Sequence, residues 1–240
     1  MGINPSAVAI LFVLVACQGS GDGRGVIDPP GDDDPFVPPP DIISIQHPKG
    51  SGSGQIGLVG TMLPEKVSVE VRVNGSVRAG MAVIWSSSTP TAMVQSSSLT
   101  DGGGIASTTV KLGTTSGSQA IIATVSSVSA QLSVTAAPDQ AVVLEQLGAS
   151  TAFGPVGLWV NNALMVRALD QYGNPVPDIR VDFTVTTGVP ARFGNPNPLT
   201  SEFGIASPQV KSDSTAGVAT ISAQLAGQSA PSVVFTLTFQ

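Results

Sequence analysis

The chain has 240 residues, of which 42% are hydrophobic and 11% are charged, and it contains 27 Gly and 19 Pro. Few charges and many turn-forming residues predict short strands joined by turns and exclude a protein built from long charged helices. The formal net charge is −6 and there is no basic cluster, which excludes nucleic acid as a partner and charge-driven attachment to an anionic membrane.

The first 16 residues are predicted to be a signal peptide. The apolar core at residues 7–16 has 10 residues, too few to span about 30 Å of hydrocarbon but typical of an export signal. It runs into the only cysteine as Leu-Val-Ala-Cys17, which resembles the lipobox of bacterial lipoproteins. The resemblance implies cleavage after Ala16 and acylation of Cys17, which would anchor the protein in a bacterial membrane. An ordinary secretory signal with an incidental cysteine is the alternative, since no Lys or Arg precedes the core.

Residues 17–40, from the lipidated Cys17 onward, are predicted to be a disordered tether. Positions 18–40 hold six Pro, five Gly and five Asp, too little apolar surface to offset the entropy of ordering. Gln18 follows the cysteine where Asp would imply retention in the inner membrane, so the lipoprotein resemblance implies the outer membrane or the cell surface. Calcium binding by the aspartates at 32–34 is an alternative to a purely solvating role.

Strand signals recur from residue 41 to residue 137, with no useful helical period of 3.6 residues. Alternating valines at 67–73 run into Asn74-Gly75, which predicts a two-residue hairpin turn, because a type I′ turn needs two residues at positive φ. Trp85 follows on the alternating apolar face of the next strand and is predicted to lie in the core.

Residues 138–240 are predicted to form a second unit of the same kind. Two alternating runs flank a corner of turn formers, Asp170-Gln171-Tyr172-Gly173-Asn174-Pro175. Gly173 and Asn174 tolerate positive φ, and Pro175 disfavours helix before it, so the chain must turn here. Asp170 and Asn174 are predicted to shape this turn through hydrogen bonds to the backbone, and calcium coordination is the alternative.

The two units repeat one sequence pattern. Positions 99–126 and 199–226 share twelve identities at an offset of 100, and earlier in the units Trp85 matches Phe183 at an offset of 98. Each copy has about 100 residues, the size of a seven-strand sandwich. We therefore predict an all-β protein with two tandem β-sandwiches at 41–137 and 138–240.

The corner of the second copy, with Val181 and Phe183 after it, resembles the signature of group 1 bacterial immunoglobulin-like domains, the type found in invasin and intimin. The first copy keeps the later strand segments but carries Asn74-Gly75 in place of that corner. The resemblance implies immunoglobulin-like sandwiches displayed at a bacterial surface. Such a protein would act as an adhesin-like, spacer or interaction module with a protein or glycan partner.

The residue inventory predicts neither an enzyme nor a cofactor or metal site. His47 is the only histidine and is interpreted as a loop residue, so an ordinary Ser-His or Cys-His pair is missing. The carboxylates are scattered over strand ends and turns and single out no glycosidase pair, which leaves a hydrolase as a remote alternative.

Glycan binding is the nearer alternative function, because sugars stack on exposed aromatic rings. Tyr172 is predicted at a turn tip, with its ring packed on the corner. Trp159 lies in a predicted strand with Val160, and the pattern leaves open whether its ring is in the core or forms an exposed contact.

Overall fold

The computed structural model describes residues 38–228 and 232–240, and every regular element within them is a β-strand. This confirms the predicted all-β fold. The signal peptide, the lipidation site at Cys17 and the tether up to residue 37 lie outside the described residues. Within the described part of the chain, no helix has the length and apolar character needed to cross a membrane.

The strands between residues 43 and 137 form two main sheets around one core. One sheet orders its strands β1-β3-β4, with β8 also on β3, and the other β2-β11-β10-β5-β7; β6 and β9 form a small ladder. The strands are β1 Ile43–Gln46, β2 Ile56–Leu58, β3 Val67–Val73, β4 Ser76–Val77, β5 Ala82–Ser87, β6 Met93–Val94, β7 Ser97–Leu99, β8 Ile105–Thr108, β9 Val110–Lys111, β10 Gly117–Val125 and β11 Val128–Ala137. We call this part the first sandwich.

The strands between residues 143 and 239 repeat the arrangement and are called the second sandwich. Its sheets order their strands β12-β14-β17 and β13-β20-β19-β15, with β16 and β18 as the small ladder. The strands are β12 Val143–Leu147, β13 Thr151–Gly154, β14 Met165–Leu169, β15 Val181–Gly188, β16 Arg192–Phe193, β17 Ile205–Ala206, β18 Val210–Lys211, β19 Gly217–Leu225 and β20 Ser232–Phe239.

Each sandwich has its own hydrophobic core. Alternate residues of β3 and β10 are buried in the first, and alternate residues of β20 in the second, as the period of two along a strand requires. Trp85 is 3% exposed, so the predicted core position is confirmed, and its indole Nε1 donates a hydrogen bond of 2.8 Å to Ser98 Oγ.

The repeat in sequence is also a repeat in hydrogen bonding. Thr100 and Thr200 are both buried. The Thr100 hydroxyl accepts from the N–H of Met81 at 2.9 Å and donates to the Arg78 carbonyl at 2.6 Å. The Thr200 hydroxyl accepts from the N–H of Ile179 at 2.9 Å and donates to the Val176 carbonyl at 2.7 Å. In each sandwich a threonine hydroxyl thus bonds to the segment that precedes an equivalent strand, residues 78–81 before β5 and residues 176–179 before β15.

We expect Thr100→Val and Thr200→Val each to lower the free energy of unfolding by about 1–3 kcal/mol, because each leaves an N–H and a carbonyl around a buried side chain without their partner at constant shape. The two effects should add in the double variant, since the residues lie in separate cores. Urea denaturation measures this, with exposed Thr109→Val as the control. A loss confined to one sandwich would show that the bonds are not equivalent.

Candidate functional site

The corner predicted from the sequence lies between β14 and β15, and Asp170 organises it. This carboxylate is 1% exposed. Its Oδ1 accepts from the backbone N–H of Tyr172 at 2.8 Å and of Asn174 at 2.9 Å. Its Oδ2 accepts from Asn174 Nδ2 at 2.9 Å and from the N–H of Asp139 at 3.1 Å. Four donors therefore converge on one side chain.

Two opposing effects set the pKa of Asp170. Burial alone would raise the pKa, because it penalises the charged form. The hydrogen bonds from Asn174, Asp139 and Tyr172 favour the carboxylate, outweigh burial and hold the pKa below its ordinary value. Both oxygens are engaged by N–H donors, so a calcium ion would have to displace them. At this corner and in the rest of the described residues, no three His, Cys, Asp or Glu side chains cluster closely enough to hold a metal ion.

Asn174 connects this corner to the first sandwich. Its Oδ1 accepts from the backbone N–H of Ser116 at 2.8 Å, and its Nδ2 donates to the Thr114 carbonyl at 2.8 Å. The side chain is 6% exposed and also bonds to Asp170, as described above. One buried amide therefore shapes its own turn and joins the two sandwiches.

Other residues of the corner extend the junction. Gln171 Nε2 donates to Asp139 Oδ2 at 3.0 Å, tying the corner to the connecting segment. Tyr172 is 46% exposed and its ring reaches Gly60 of the first sandwich, where a Cβ would lie 3.0 Å from Tyr172 Oη. This contact with the other sandwich was not predicted from the sequence. Gly173 has a φ of 83°, and Leu169 forms an isolated bridge with Pro175.

The first sandwich has a shorter turn at the position equivalent to the Asp170 corner. The N–H of Arg78 donates to the Val71 carbonyl at 3.1 Å, just as the N–H of Val176 donates to the Ala168 carbonyl at 3.0 Å. Six residues (72–77) lie between the first pair and seven (169–175) between the second. In the shorter corner Asn74 and Gly75 form the two-residue turn between β3 and β4, with φ of 51° and 80°.

The asparagine of this shorter corner bonds within its own sandwich. Asn74 Oδ1 accepts from the N–H of Ile42 at 3.0 Å, and its Nδ2 donates to Asp41 Oδ1 at 2.8 Å. Asn74 therefore bonds to the residues just before β1 in its own sandwich, whereas Asn174 bonds to the other sandwich.

Trp159 lies at the surface, apart from the junction. The strand prediction was wrong here, because Trp159 lies outside any strand and only Val160 forms an isolated bridge to Val210. Of the two placements that the sequence left open, the structure has the exposed one, since Trp159 is 43% exposed. A turn at 156–157 and a bend at Leu158 lie directly before Trp159. Lys211 Nζ lies 5.0 Å from the centroid of the Trp159 ring, a cation–π contact.

The fold is that of an immunoglobulin-like β-sandwich. Residues 160–238 match the family model of the bacterial Ig-like domain (group 1), which confirms the resemblance predicted from the sequence. No curated protein matches the sequence of this chain.

Several solved structures are similar to this chain. InvD of Yersinia pseudotuberculosis is 17% identical with a TM-score of 0.55, and the match covers 78% of this chain and 57% of that one. The D0-D1 domains of intimin are 20% identical, with coverage of 81% and 98% and a TM-score of 0.33. Invasin, described as a bacterial integrin-binding protein, is 21% identical, with coverage of 84% and 40% and a TM-score of 0.36. At 17% identity the similarity to InvD shows the fold alone.

Proposed function

We propose that this chain is a non-catalytic, lipid-anchored surface protein of a bacterium. In this proposal two immunoglobulin-like domains, at 41–137 and 138–240, form a stiff spacer that holds an adhesin-like interaction surface away from the membrane. The anchor is Cys17, and residues 17–40 are the flexible tether. The Asn174 contacts carry the proposal, because a spacer needs a fixed angle between its domains and a buried amide bonded to both restricts that angle.

The surface location is supported by the export and lipobox pattern and by the match of residues 160–238 to a bacterial immunoglobulin-like family. A partner at a surface is proposed by analogy with invasin, which is described as a bacterial integrin-binding protein. That ligand belongs to invasin, and the proposed partner of this chain is a surface protein or glycan.

The described residues favour binding over catalysis. A surface cavity of about 330 Å³ is lined by Phe153, Gly154, Pro155 and Gln240, none of which has an acidic, basic or nucleophilic side chain. Asp182 has a lowered pKa because Arg180 donates hydrogen bonds of 2.8 and 3.0 Å to its carboxylate. Such a pair is a surface ion pair and not a poised acid.

The anchor is tested by metabolic labelling. Cells that express the full chain and grow with a radioactive or alkyne-tagged palmitate should yield a labelled protein in the membrane fraction. Cys17→Ala should abolish the label, because the chain has no other cysteine. Labelling that persists in Cys17→Ala, or an unlabelled wild-type protein released into the medium, would contradict the lipid anchor.

A further inference from the structure

The two sandwiches differ at one surface position in a way that their shared fold does not require. The N–H of Leu63 donates to the Val110 carbonyl at 2.9 Å, and the N–H of Val160 donates to the Val210 carbonyl at 2.8 Å. The residues just before these donors are therefore equivalent, and they are Met62 and Trp159. Both are exposed side chains, 55% and 43% respectively.

The neighbours of this position have changed together. Met93 pairs with Lys111 in the small ladder of the first sandwich, and Arg192 pairs with Lys211 in that of the second. At the 100-residue offset Gly113 becomes Asp213, while the lysine is retained. In the first sandwich, Met62 and Met93 flank Lys111. In the second, Trp159 and Arg192 take their places beside Lys211, and Asp213 adds a carboxylate.

These groups form one connected surface cluster in the second sandwich. Lys211 Nζ stacks on the Trp159 ring and lies 3.1 Å from Asp213 Oδ1, and Arg192 forms an ion pair with the other oxygen of Asp213. The Arg192 side chain is 75% exposed. Two cations share one anion, so the cluster carries a net positive charge. We call it the Trp159 cluster.

An amide pair flanks the bridge between Val160 and Val210. Gln209 precedes β18, and its Nε2 donates to Asn161 Oδ1 at 2.7 Å at the surface. Asn161 follows the Val160 bridge, two residues after Trp159. The amide pair therefore offers hydrogen-bonding groups close along the chain to the ring.

We propose that the Trp159 cluster binds a carboxylate-bearing sugar of an acidic polysaccharide. The apolar C–H face of the sugar ring would stack on the exposed surface of Trp159. The exposed guanidinium of Arg192 is suited to bidentate bonding of a carboxylate, and the amides of Asn161 and Gln209 to bonding of hydroxyl groups.

The chemistry of the cluster favours a sugar as its occupant, because an exposed aromatic ring stands beside cations and an amide pair. A specific protein interface uses about 20–30 residues on each side. The cluster and its amide pair comprise six residues: Trp159, Asn161, Arg192, Gln209, Lys211 and Asp213. Such a site binds weakly by itself, and many copies on one surface would bind a repeating polymer by avidity.

The chain supplies its own optical probe. Its two tryptophans are Trp85, which is 3% exposed, and Trp159. Titrating the full chain with trigalacturonic acid should give a saturable change in tryptophan fluorescence, and neutral galactotriose should bind about tenfold more weakly. Arg192→Gln should remove most of that tenfold preference, as expected for the loss of a charge-assisted hydrogen bond.

Calorimetry extends the test to variants without the reporter ring. Trp159→Ala should abolish the binding heat, and Met62→Ala, the equivalent change in the first sandwich, should leave it unchanged. Equal binding of the two trimers would overturn the acidic class of ligand. No saturable binding, or full binding by Trp159→Ala, would overturn the sugar site and leave the cluster to a protein partner. Neither result touches the spacer proposal, which depends on Asn174.

Discussion

Asp170→Ala is expected to lower the free energy of unfolding by about 2–4 kcal/mol at neutral pH, because it leaves four converging N–H groups without their acceptor inside the protein. For a sandwich of about 100 residues the melting temperature should fall by roughly 8–20 °C. Scanning calorimetry measures both quantities. Asp101→Ala is the matched control, because the exposed Asp101 carboxylate accepts from only two N–H groups, and it should cost less than about 1 kcal/mol.

The contribution of Asp170 should also depend on pH, with a definite sign. The folded state lowers the pKa of this carboxyl, so its stabilisation is fully present above the unfolded pKa of about 3.9 and is lost as the pH falls toward the folded pKa. The difference in stability between the wild type and Asp170→Asn should therefore shrink below about pH 4. A difference that stays constant through this range would show that the charge of Asp170 contributes nothing.

Asn174→Ala is expected to uncouple the two sandwiches while both remain folded. The change removes the hydrogen bonds to Ser116 and Thr114, the two residues of the first sandwich that Asn174 contacts. NMR relaxation should then give shorter rotational correlation times, and X-ray scattering should show a broader range of particle lengths. We expect a stability loss of about 1–3 kcal/mol, because the bond to Asp170 is lost as well.

Two further variants separate the junction from the corner itself. Asn174→Asp keeps an acceptor for the Ser116 N–H but places a charge beside the Thr114 carbonyl and the Asp170 carboxylate, so it should also loosen the junction. Asn74→Ala removes bonds within the first sandwich only and should leave the tumbling coupled. If Asn174→Ala tumbles as one body with unchanged scattering, the stiff-spacer proposal fails.

Local chemistry made much of the fold predictable. The valine alternation of β3 and the position of Trp85 follow from the period of two along a strand. One step in the repeat offset, upstream of Trp85, also has a structural reason. The corner of the first sandwich is one residue shorter, so the offset rises from 97 between Val71 and Ala168 to 98 between Arg78 and Val176.

Contacts across the chain were not predictable from the sequence. The groups that bind Asn174 are a backbone N–H and a backbone carbonyl 58 and 60 residues away, and backbone groups leave no side-chain signature. Trp159 was misassigned because Leu158 and Val160 suggest a strand. Pro155 and Gly157 nearby were the available signal for a turn, since both residues favour turns over strand interiors.

The parallel strand pairs at the sheet edges have a mechanical consequence. In the first sandwich β2 runs parallel to β11, and in the second β13 runs parallel to β20. Tension applied along the chain would pull each pair in opposite directions along its length, loading all of its hydrogen bonds together in shear. Under such a load a sandwich gives way only by crossing its whole unfolding barrier. The lifetime of the folded protein under tension would therefore be set by its rate of unfolding and not by its equilibrium stability.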